Sequence, residues 1–432
     1  MTILQFLKQD LITPLVKKIA QTEEIELSLL KQLLLEGKVV ICKNKLRQVE
    51  KPSAIGKGLR IKVNANIGTS TDKISLKKEL EKLKVAISSG ADTVMDLSVA
   101  GNLSQIRKEI LSASSVPVGT VPLYEVAARA KKRYGNFLFF DKDDLLEVLE
   151  EQAKDGVDFF TIHAGVTQRT ISVLKQNPRL LGIVSRGGAI MAAWMQSTKK
   201  ENPFYVFFDK VIEIAQRYDI TLSLGDGLRP GSVLDATDKA QVAELKILTD
   251  LVKRCRQNDV QVIVEGPGHV PLSEIQKNII LEKKLCGQVP FYVLGPLVTD
   301  ICPGYDHINA AIGAALAGWY GADFICYVTP AEHLRHPSCD DVREGVIAAR
   351  IAAHAADIAR GRVSSLKWDE QISKARAEQN WRKQIKLALD PIKARKYRIS
   401  SMPGQHQVCT MCGQFCSIKI VEQCFKNKPT GK

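Results

Sequence analysis

Four of the chain's ten cysteines crowd together as Cys409, Cys412, Cys416 and Cys424. The string "CTMCGQFC" has the spacing Cys-x2-Cys-x3-Cys, and Gly413 permits the tight turn that would gather three thiolates on one cluster. Two chemistries suit it. Structural zinc takes four closed ligands, usually as two separated pairs, and Cys424 would supply the fourth. A 4Fe–4S cluster held by three thiolates leaves one iron open to a substrate or cofactor. Spacing leaves both open.

Upstream, "EGPGHVP" and "PAEHL" present His269 and His333, each shortly after an apolar run. Two imidazoles with water and a ligand atom make an open Zn2+ or Fe2+ site, although a lone histidine is more often a satisfied core residue. "SRGG" and "DGLRPG" are glycine-rich turns carrying Arg186 and Arg229. Backbone N–H groups in such turns, joined by guanidinium forks, suit a phosphate dianion. Singly each is only a tight turn; the pair points to a phosphorylated small substrate. His354 falls in a helical run, while His307, His336 and His406 have no clear placement.

Positioning these groups requires a frame, and the pattern supplies one. Between about residues 60 and 330, nine short Val- and Ile-rich runs end in Gly or polar residues: 60–68, 91–98, 118–124, 158–165, 181–188, 220–227, 260–268, 291–296 and 322–330. Near-continuous apolar strands suit a parallel sheet covered on both faces. Helical faces lie between them: Leu76, Leu80, Leu83 and Ile87 before Gly90; Leu145, Val148, Leu149 and Ala153 before Gly156; Val242, Leu245, Leu248 and Leu251 in a third. The expected fold is α/β, a (β/α)8 TIM-type barrel, with one strand candidate too many. Unusual residues sit at the carboxyl ends of the strands: Asn66, Met95, Tyr124, His163, Ser185, Arg186, Gly187, Asp226, Glu265 and His269. That is where barrels keep their catalytic groups.

The expected organisation is a short helical lead-in over 1–55, a catalytic barrel over 56–361, a helical domain over 362–400 and a cysteine tail over 401–432. The lead-in contains one helix ended by Gly37. Residues 362–400 hold eleven Lys or Arg and four acids. Ile372, Ala375, Gln379, Arg382 and Ile385 read there as one amphipathic helix anchored by Trp368 and Trp381 and broken at Pro391; beyond Ser400 the chain reads as flexible.

At 432 residues, 45% hydrophobic and 25% charged, the composition is globular and argues against disordered and fibrous classes. A net charge of +14 suits an anionic partner. No apolar run reaches the roughly 18 residues that span a bilayer. The nearest, Ile308 to Tyr320, reads as a buried core helix. The N-terminus lacks a secretory pattern, so a soluble, cytoplasmic protein with reduced cysteines is expected. A nucleic-acid binder with a zinc knuckle would also use the charge, but no basic surface interleaved with aromatics is legible. A barrel hydrolase using His269 and His333 is a further alternative.

Ordered motifs from about residue 55 onward resemble the phosphomethylpyrimidine synthase family, the thiamin-pyrimidine enzymes of the radical S-adenosylmethionine group. They are "KVNANIGTS", "GADTVMDLS", "GTVPLY", "FTIHAGV", "GIVSRGG", "SLGDGLRPGS", "VQVIVEGPGHVP", "PFYVLGPLVTDI", "PGYDHI" and "CYVTPAEHL". The resemblance implies a (β/α)8 barrel, a homodimer, an electron donor such as flavodoxin or ferredoxin, and 5-aminoimidazole ribotide as substrate, with neither membrane nor nucleic acid. By motif, Asn66, Met95, Tyr124, His163, Ser185, Arg186, Gly187, Asp226, Gly227, Leu228, Arg229, Glu265 and Tyr292 would contact the ribotide. His269 and His333 would hold zinc (or Fe2+), and Cys409, Cys412 and Cys416 the 4Fe–4S cluster that binds S-adenosylmethionine. Cleavage of that cofactor by one electron would give the 5′-deoxyadenosyl radical that starts the rearrangement. Glu265 is the candidate proton handler, and Cys302 or Cys326 the candidate radical partners.

The chain departs from the family in places. The usual tail is Cys-x2-Cys-x4-Cys, one residue longer than here. "DLSVAG", "VICKN" and "TDICPG" stand where "DLSTGG", "VIPAN" and "TDIAPG" are common. Such differences keep open a relative acting on the same ribotide, 5-hydroxybenzimidazole synthase, which makes a cobamide lower-ligand precursor.

Overall fold

The computed structural model describes residues 1–401 and 408–426, in two compact units, Met1–Asp357 and Ile358–Lys432. The first unit opens with three short helices, Ile3–Lys8, Pro14–Thr22 and Leu27–Leu35, and an antiparallel pair, β1 (Val39–Cys42) and β2 (Ser53–Gly56). Sequence reading anticipated one of the helices and missed the strand pair. Leu7, Val16, Ile19, Leu30, Leu34 and Ile41 form a small core of their own.

Eight parallel strands then close a barrel: β3 (Lys62–Ile67), β4 (Thr93–Asp96), β5 (Val118–Thr120), β6 (Phe159–Ile162), β7 (Thr221–Leu224), β8 (Val262–Gly266), β9 (Phe291–Leu294) and β10 (Phe324–Cys326). Each pairs with the next, and β10 returns to β3. Eight of the nine expected strands are these. The ninth run, 181–188, is not a strand: Leu181 and Val184 are exposed, and Ser185 caps the helix Arg186–Thr198. Ile183 packs against the core, but its apolar neighbours do not, so the run gains too little burial to join the sheet.

The lead-in seals the amino ends of the strands. Arg47 is buried and donates to Asp158, just before β6, and to the carbonyls of Leu111 (3.0 Å), Ser114 (2.7 Å) and Val116 (3.2 Å). Removing one partner of a buried pair leaves the other charge unmatched. Arg47→Ala should therefore lower stability by about 3–5 kcal/mol, read as a shifted urea midpoint. A shift worth under about 1 kcal/mol would contradict this role.

Helices cover the barrel and end where expected, with Gly156 in a left-handed cap after Lys142–Asp155. Two faces differ from expectation. In Lys239–Gln257 the buried face runs through Glu244, Ile247, Leu248, Leu251 and Cys255, so Val242 and Leu245 are only half-buried and a carboxylate points inward. Helix Asp306–Tyr320 turns Ala310, Gly313, Ala314 and Ala317 inward and exposes Ile308, Ile312 and Trp319. It is a surface helix, not a wholly buried one. A Cβ on Gly313 would stand 2.0 Å from the Pro296 carbonyl, so small residues set this close approach. Among the described residues no helix is long and apolar enough to cross a membrane.

In the second unit the expected single amphipathic helix is two, Val363–Ala377 and Trp381–Leu387. Gln379 has φ +53° and Asn380 caps the second helix by accepting from the Lys383 amide. Pro391 does not merely break the pattern; it opens helix Pro391–Ser400 behind the Asp390 cap. The Trp368 indole donates to the Leu387 carbonyl at 2.8 Å, and Arg398 lies 4.0 Å over the Trp381 ring. His406 and part of the tail read as flexible lie outside the described residues; a 3-10 turn, Gly413–Phe415, and helix Ser417–Lys426 lie inside them.

Candidate functional site

Inward-pointing residues at the carboxyl ends of the strands enclose a hollow of about 80 Å3. Asn66 and Met95 are register partners on β3 and β4, as are Glu265 and Tyr292 on β8 and β9. All four line the hollow, together with Tyr124 from the first turn of helix Pro122–Tyr134, His163, Asp226 and Arg229 from the loops, and Cys326 from β10. A hydrogen-bond chain orients one side. Thr93 Oγ1 donates to Asn64 Oδ1 (2.7 Å), and Asn64 Nδ2 donates to Asn66 Oδ1 and to the Tyr292 hydroxyl (both 2.8 Å). Asn66 Nδ2 donates to Cys326 Sγ at 3.1 Å. Opposite, the Thr161 and Ser223 hydroxyls both donate to Glu265 Oε1 at 2.7 Å, fixing that carboxyl in the wall.

Burial sets the protonation states. Burial, then the Arg229 charge, pushes His163 down to about 3, so its imidazole is neutral, and the buried Nδ1 has no hydrogen-bond partner among the described residues. Burial raises Asp226 to about 7 against the pull of Arg229, whose Nη1 donates to Oδ1 at 3.3 Å; Oδ2 is buried with no hydrogen-bond partner among the described residues. Burial also raises Glu265, opposed by its two hydroxyl donors. The Cys326 thiol is pushed up to about 12 by burial and stays protonated. Protonatable carboxyls beside a fixed guanidinium form a site that can hold or pass a proton.

The two glycine-rich turns meet. Ser185 is fully buried and accepts from the Gly188 amide at 3.2 Å, starting the helix that carries Arg186. A Cβ on Gly188 would lie 2.1 Å from the Gly227 carbonyl, and one on Gly187 2.2 Å from the His163 ring. Ser185, Gly187, Gly227 and the buried Leu228 thus shape the wall from behind and do not line the hollow. Arg186 stacks 5.0 Å over Tyr124 and lines a second cavity of about 470 Å3, which shares Asn66 and Leu97 with the first.

Glu244 underlies both turns. It is buried, and its Oε2 accepts from the Leu228 amide at 2.7 Å. Burial, reinforced by Asp226, raises it to about 8. A carboxyl raised from 4.5 to about 8 on folding contributes stability below pH 4.5 that is lost as pH rises through 8. Asp226, raised from 3.8 to about 7, acts in the same direction. The ligand-free protein should therefore melt lower at pH 8.5 than at pH 5.5, and Glu244→Gln should flatten that loss. An equally steep loss in the variant would refute the assignment.

His269 and His333 come together, with ring centroids 5.4 Å apart. Asp300 Oδ1 lies 2.7 Å from His269 Nδ1 and is itself held by the Ser232 hydroxyl and the Val233 amide. Asp306 Oδ2 lies 3.1 Å from His333 Nδ1. The hydrogen-bonded Asp300 behind His269 Nδ1 leaves its Nε2 as the free nitrogen, the arrangement that orients a metal-binding imidazole; Asp306 faces His333 at ion-pair distance without a hydrogen bond. The pair fits a metal whose other positions are open. Among the described residues no three His, Cys, Asp or Glu side chains gather as a metal-holding group.

In the second unit Cys409, Cys412 and Cys416 flank the turn Gly413–Phe415. The Cys412 and Met411 amides hold the Cys409 thiol below its ordinary range, while burial and the neighbouring Cys409 and Cys416 charges raise Cys412. Thiols that sense one another, one of them cradled by backbone N–H groups, fit an iron–sulfur cluster.

Thr161, Ser223, Glu244, Asp300 and Asp306 went unnoticed in the sequence. The first two carry a readable signal, a hydroxyl at an inward position of an apolar strand. The other three carry none without their contacts.

The sequence pattern of the radical SAM ThiC family matches residues 2–423. The phosphomethylpyrimidine synthase of Moorella thermoacetica is 52% identical over 430 residues, covering 100% of this chain and 99% of its own length. That of Desulforudis audaxviator is 54% identical over 413 residues, 96% of either chain. That of Methanocaldococcus jannaschii is 50% identical, over 99% of this chain and 100% of its own. Among solved structures, a dihydropteroate synthase of Coxiella burnetii in complex with pteroic acid has a TM-score of 0.41 at 13% identity, covering 72% of this chain and 98% of that one.

Proposed function

The chain belongs to the radical SAM ThiC family, and we infer that it is a phosphomethylpyrimidine synthase, converting 5-aminoimidazole ribotide to 4-amino-5-hydroxymethyl-2-methylpyrimidine phosphate for thiamin. The carrying observation is full-length identity above 50% to relatives of that one name. No observation favours the hydroxybenzimidazole branch. We assign the 4Fe–4S cluster to Cys409, Cys412 and Cys416, and a mononuclear zinc or Fe2+ to His269 and His333. When bound, the cluster and S-adenosylmethionine supply the radical that starts the rearrangement.

The chain's own residues bind, orient and protect. Arg186 and Arg229 are proposed to hold the phosphate, since Arg229 lines the hollow, Arg186 lines the adjoining cavity, and the glycines beside them bare the backbone. The hollow of about 80 Å3 suits the heterocycle, with the phosphate toward the rim. Asn66, held in one orientation by Asn64 and Cys326, offers a fixed amide. Neutral His163 offers Nδ1. Glu265 holds or releases a proton at the carboxyl oxygen not taken by Thr161 and Ser223. Apolar and glycine walls exclude water from a reactive intermediate.

A reduced flavodoxin or ferredoxin as electron donor, a homodimer and a cytoplasmic setting belong to the same reading; the net charge of +14 suits an acidic donor. The test is anaerobic turnover of the ribotide with S-adenosylmethionine and a strong reductant. A pyrimidine phosphate with 5′-deoxyadenosine supports it. A hydroxybenzimidazole, or no product from iron-loaded protein, overturns it.

A further inference from the structure

We propose that His336 is a positioning residue, the strut that fixes the loop carrying Asn66 against the loop carrying His333. Four groups close a ring at Gly68, two residues beyond Asn66. The Gly68 amide donates to Glu79 Oε2 at 2.7 Å, and Glu79 pairs with Lys82 at 2.7 Å. Lys82 Nζ meets His336 Nδ1 at 3.3 Å, and His336 Nε2 meets the Gly68 carbonyl at 2.9 Å. Both backbone groups of one residue are thus held, one directly by His336 and the other through two side chains from helix Leu76–Ser88.

The donors and acceptors leave one protonation pattern. The Gly68 carbonyl can only accept, so Nε2 carries the hydrogen. The Lys82 ammonium, paired with Glu79, can only donate, so Nδ1 carries the lone pair. Glu79 and Lys82 are 1% and 3% exposed, so their side of the ring is buried, while half-buried His336 closes it at the wall of the cavity of about 470 Å3. Gly68 has φ +139°, and a Cβ there would stand 2.5 Å from the Ser98 amide, so the main chain is the only anchor at that point.

Position gives the ring its consequence. The seam of the barrel, where β10 pairs with β3, lies beneath it. Asn66 ends one strand's contribution to the hollow, and His333 follows the other, three residues before His336. The strut therefore sets the spacing between a proposed ribotide contact and a proposed metal ligand. This rests on the function assigned above; the native enzyme, run alongside, tests that assignment separately.

The experiment compares His336→Leu, His336→Gln and His336→Asn in anaerobic turnover, with melting temperature and ribotide KM and kcat measured for each. Gln places an amide N–H near Nε2 and keeps the Gly68 bond. Asn reaches only toward Lys82, and Leu reaches neither. Misplacing reacting groups by about 1 Å costs about 10²-fold, so H336L and H336N should lose about 10²-fold in kcat/KM, largely through KM. H336Q should recover to within about threefold of native. H336L and H336N within threefold of native, or H336Q as impaired as H336N at an equal melting temperature, would overturn the proposal. If H336L does not fold, the H336Q and H336N pair decides. Should native enzyme itself fail to turn over, the assigned function fails first, and the strut with it.

Discussion

Anaerobically reconstituted Cys412→Ala protein is expected to be colourless and iron-poor, and to form neither pyrimidine phosphate nor 5′-deoxyadenosine. The loss should be at least about 10⁴-fold, because without the cluster nothing delivers an electron to the cofactor and no partial route remains. Cys412 is exposed on the turn between Cys409 and Cys416, so its removal opens no core cavity. Ribotide binding by the barrel should survive, and titration of the variant with ribotide separates loss of the cluster from loss of the fold. Cys424→Ala supplies the contrast. This cysteine is exposed on helix Ser417–Lys426 and lies outside the three-thiol set, so its variant should keep its iron and activity. A colourless, inactive Cys424→Ala protein would instead make it a fourth ligand and close the iron that the reaction needs open.

Glu265→Gln should lower kcat by about 10²–10⁴-fold, with little change in ribotide KM. The substitution keeps an oxygen for the Thr161 and Ser223 hydroxyls, so the wall of the hollow stays in place and only the capacity to carry a proton goes. Burial raises Glu265 above the ordinary carboxylate range, and Arg229 and the two donors counter that rise. A carboxyl raised by burial holds its proton more readily than an exposed one, which suits a proton-carrying role. 5′-Deoxyadenosine formed without pyrimidine phosphate would be the signature, since cofactor cleavage precedes the proton steps. A variant within threefold of native kcat would remove Glu265 from the proton path.

Glu265 also shows where sequence reading reaches its limit. It was legible as a carboxylate ending an apolar strand, but the hydroxyls that hold it come from two other strands, Thr161 lying 104 residues away in the chain. Tyr292 and Asn66 were legible as site residues by motif. That Asn64 joins them, with Thr93 behind it, depends on the register of β3 with β4 and β10. The false ninth strand fails for a related reason: 181–188 has strand composition, and only the exposure of Leu181 and Val184 in the folded chain shows that it stays outside the sheet.

Repeated short apolar runs punctuated by glycine determined the barrel class by themselves, because backbone preference and burial period act within a few residues. The same locality made Cys409, Cys412 and Cys416 readable as one metal-binding unit, and Arg186 and Arg229 as anion-binding turns. Tertiary structure alone decided which side chains hold those groups in place. Glu244 under the DGLR turn, Asp300 and Asp306 behind the two histidines, and the ring through His336, 268 residues from Gly68, exist only once the barrel closes. A hydrogen bond requires a partner within about 3 Å, and a one-dimensional pattern carries no record of which distant residue will supply it.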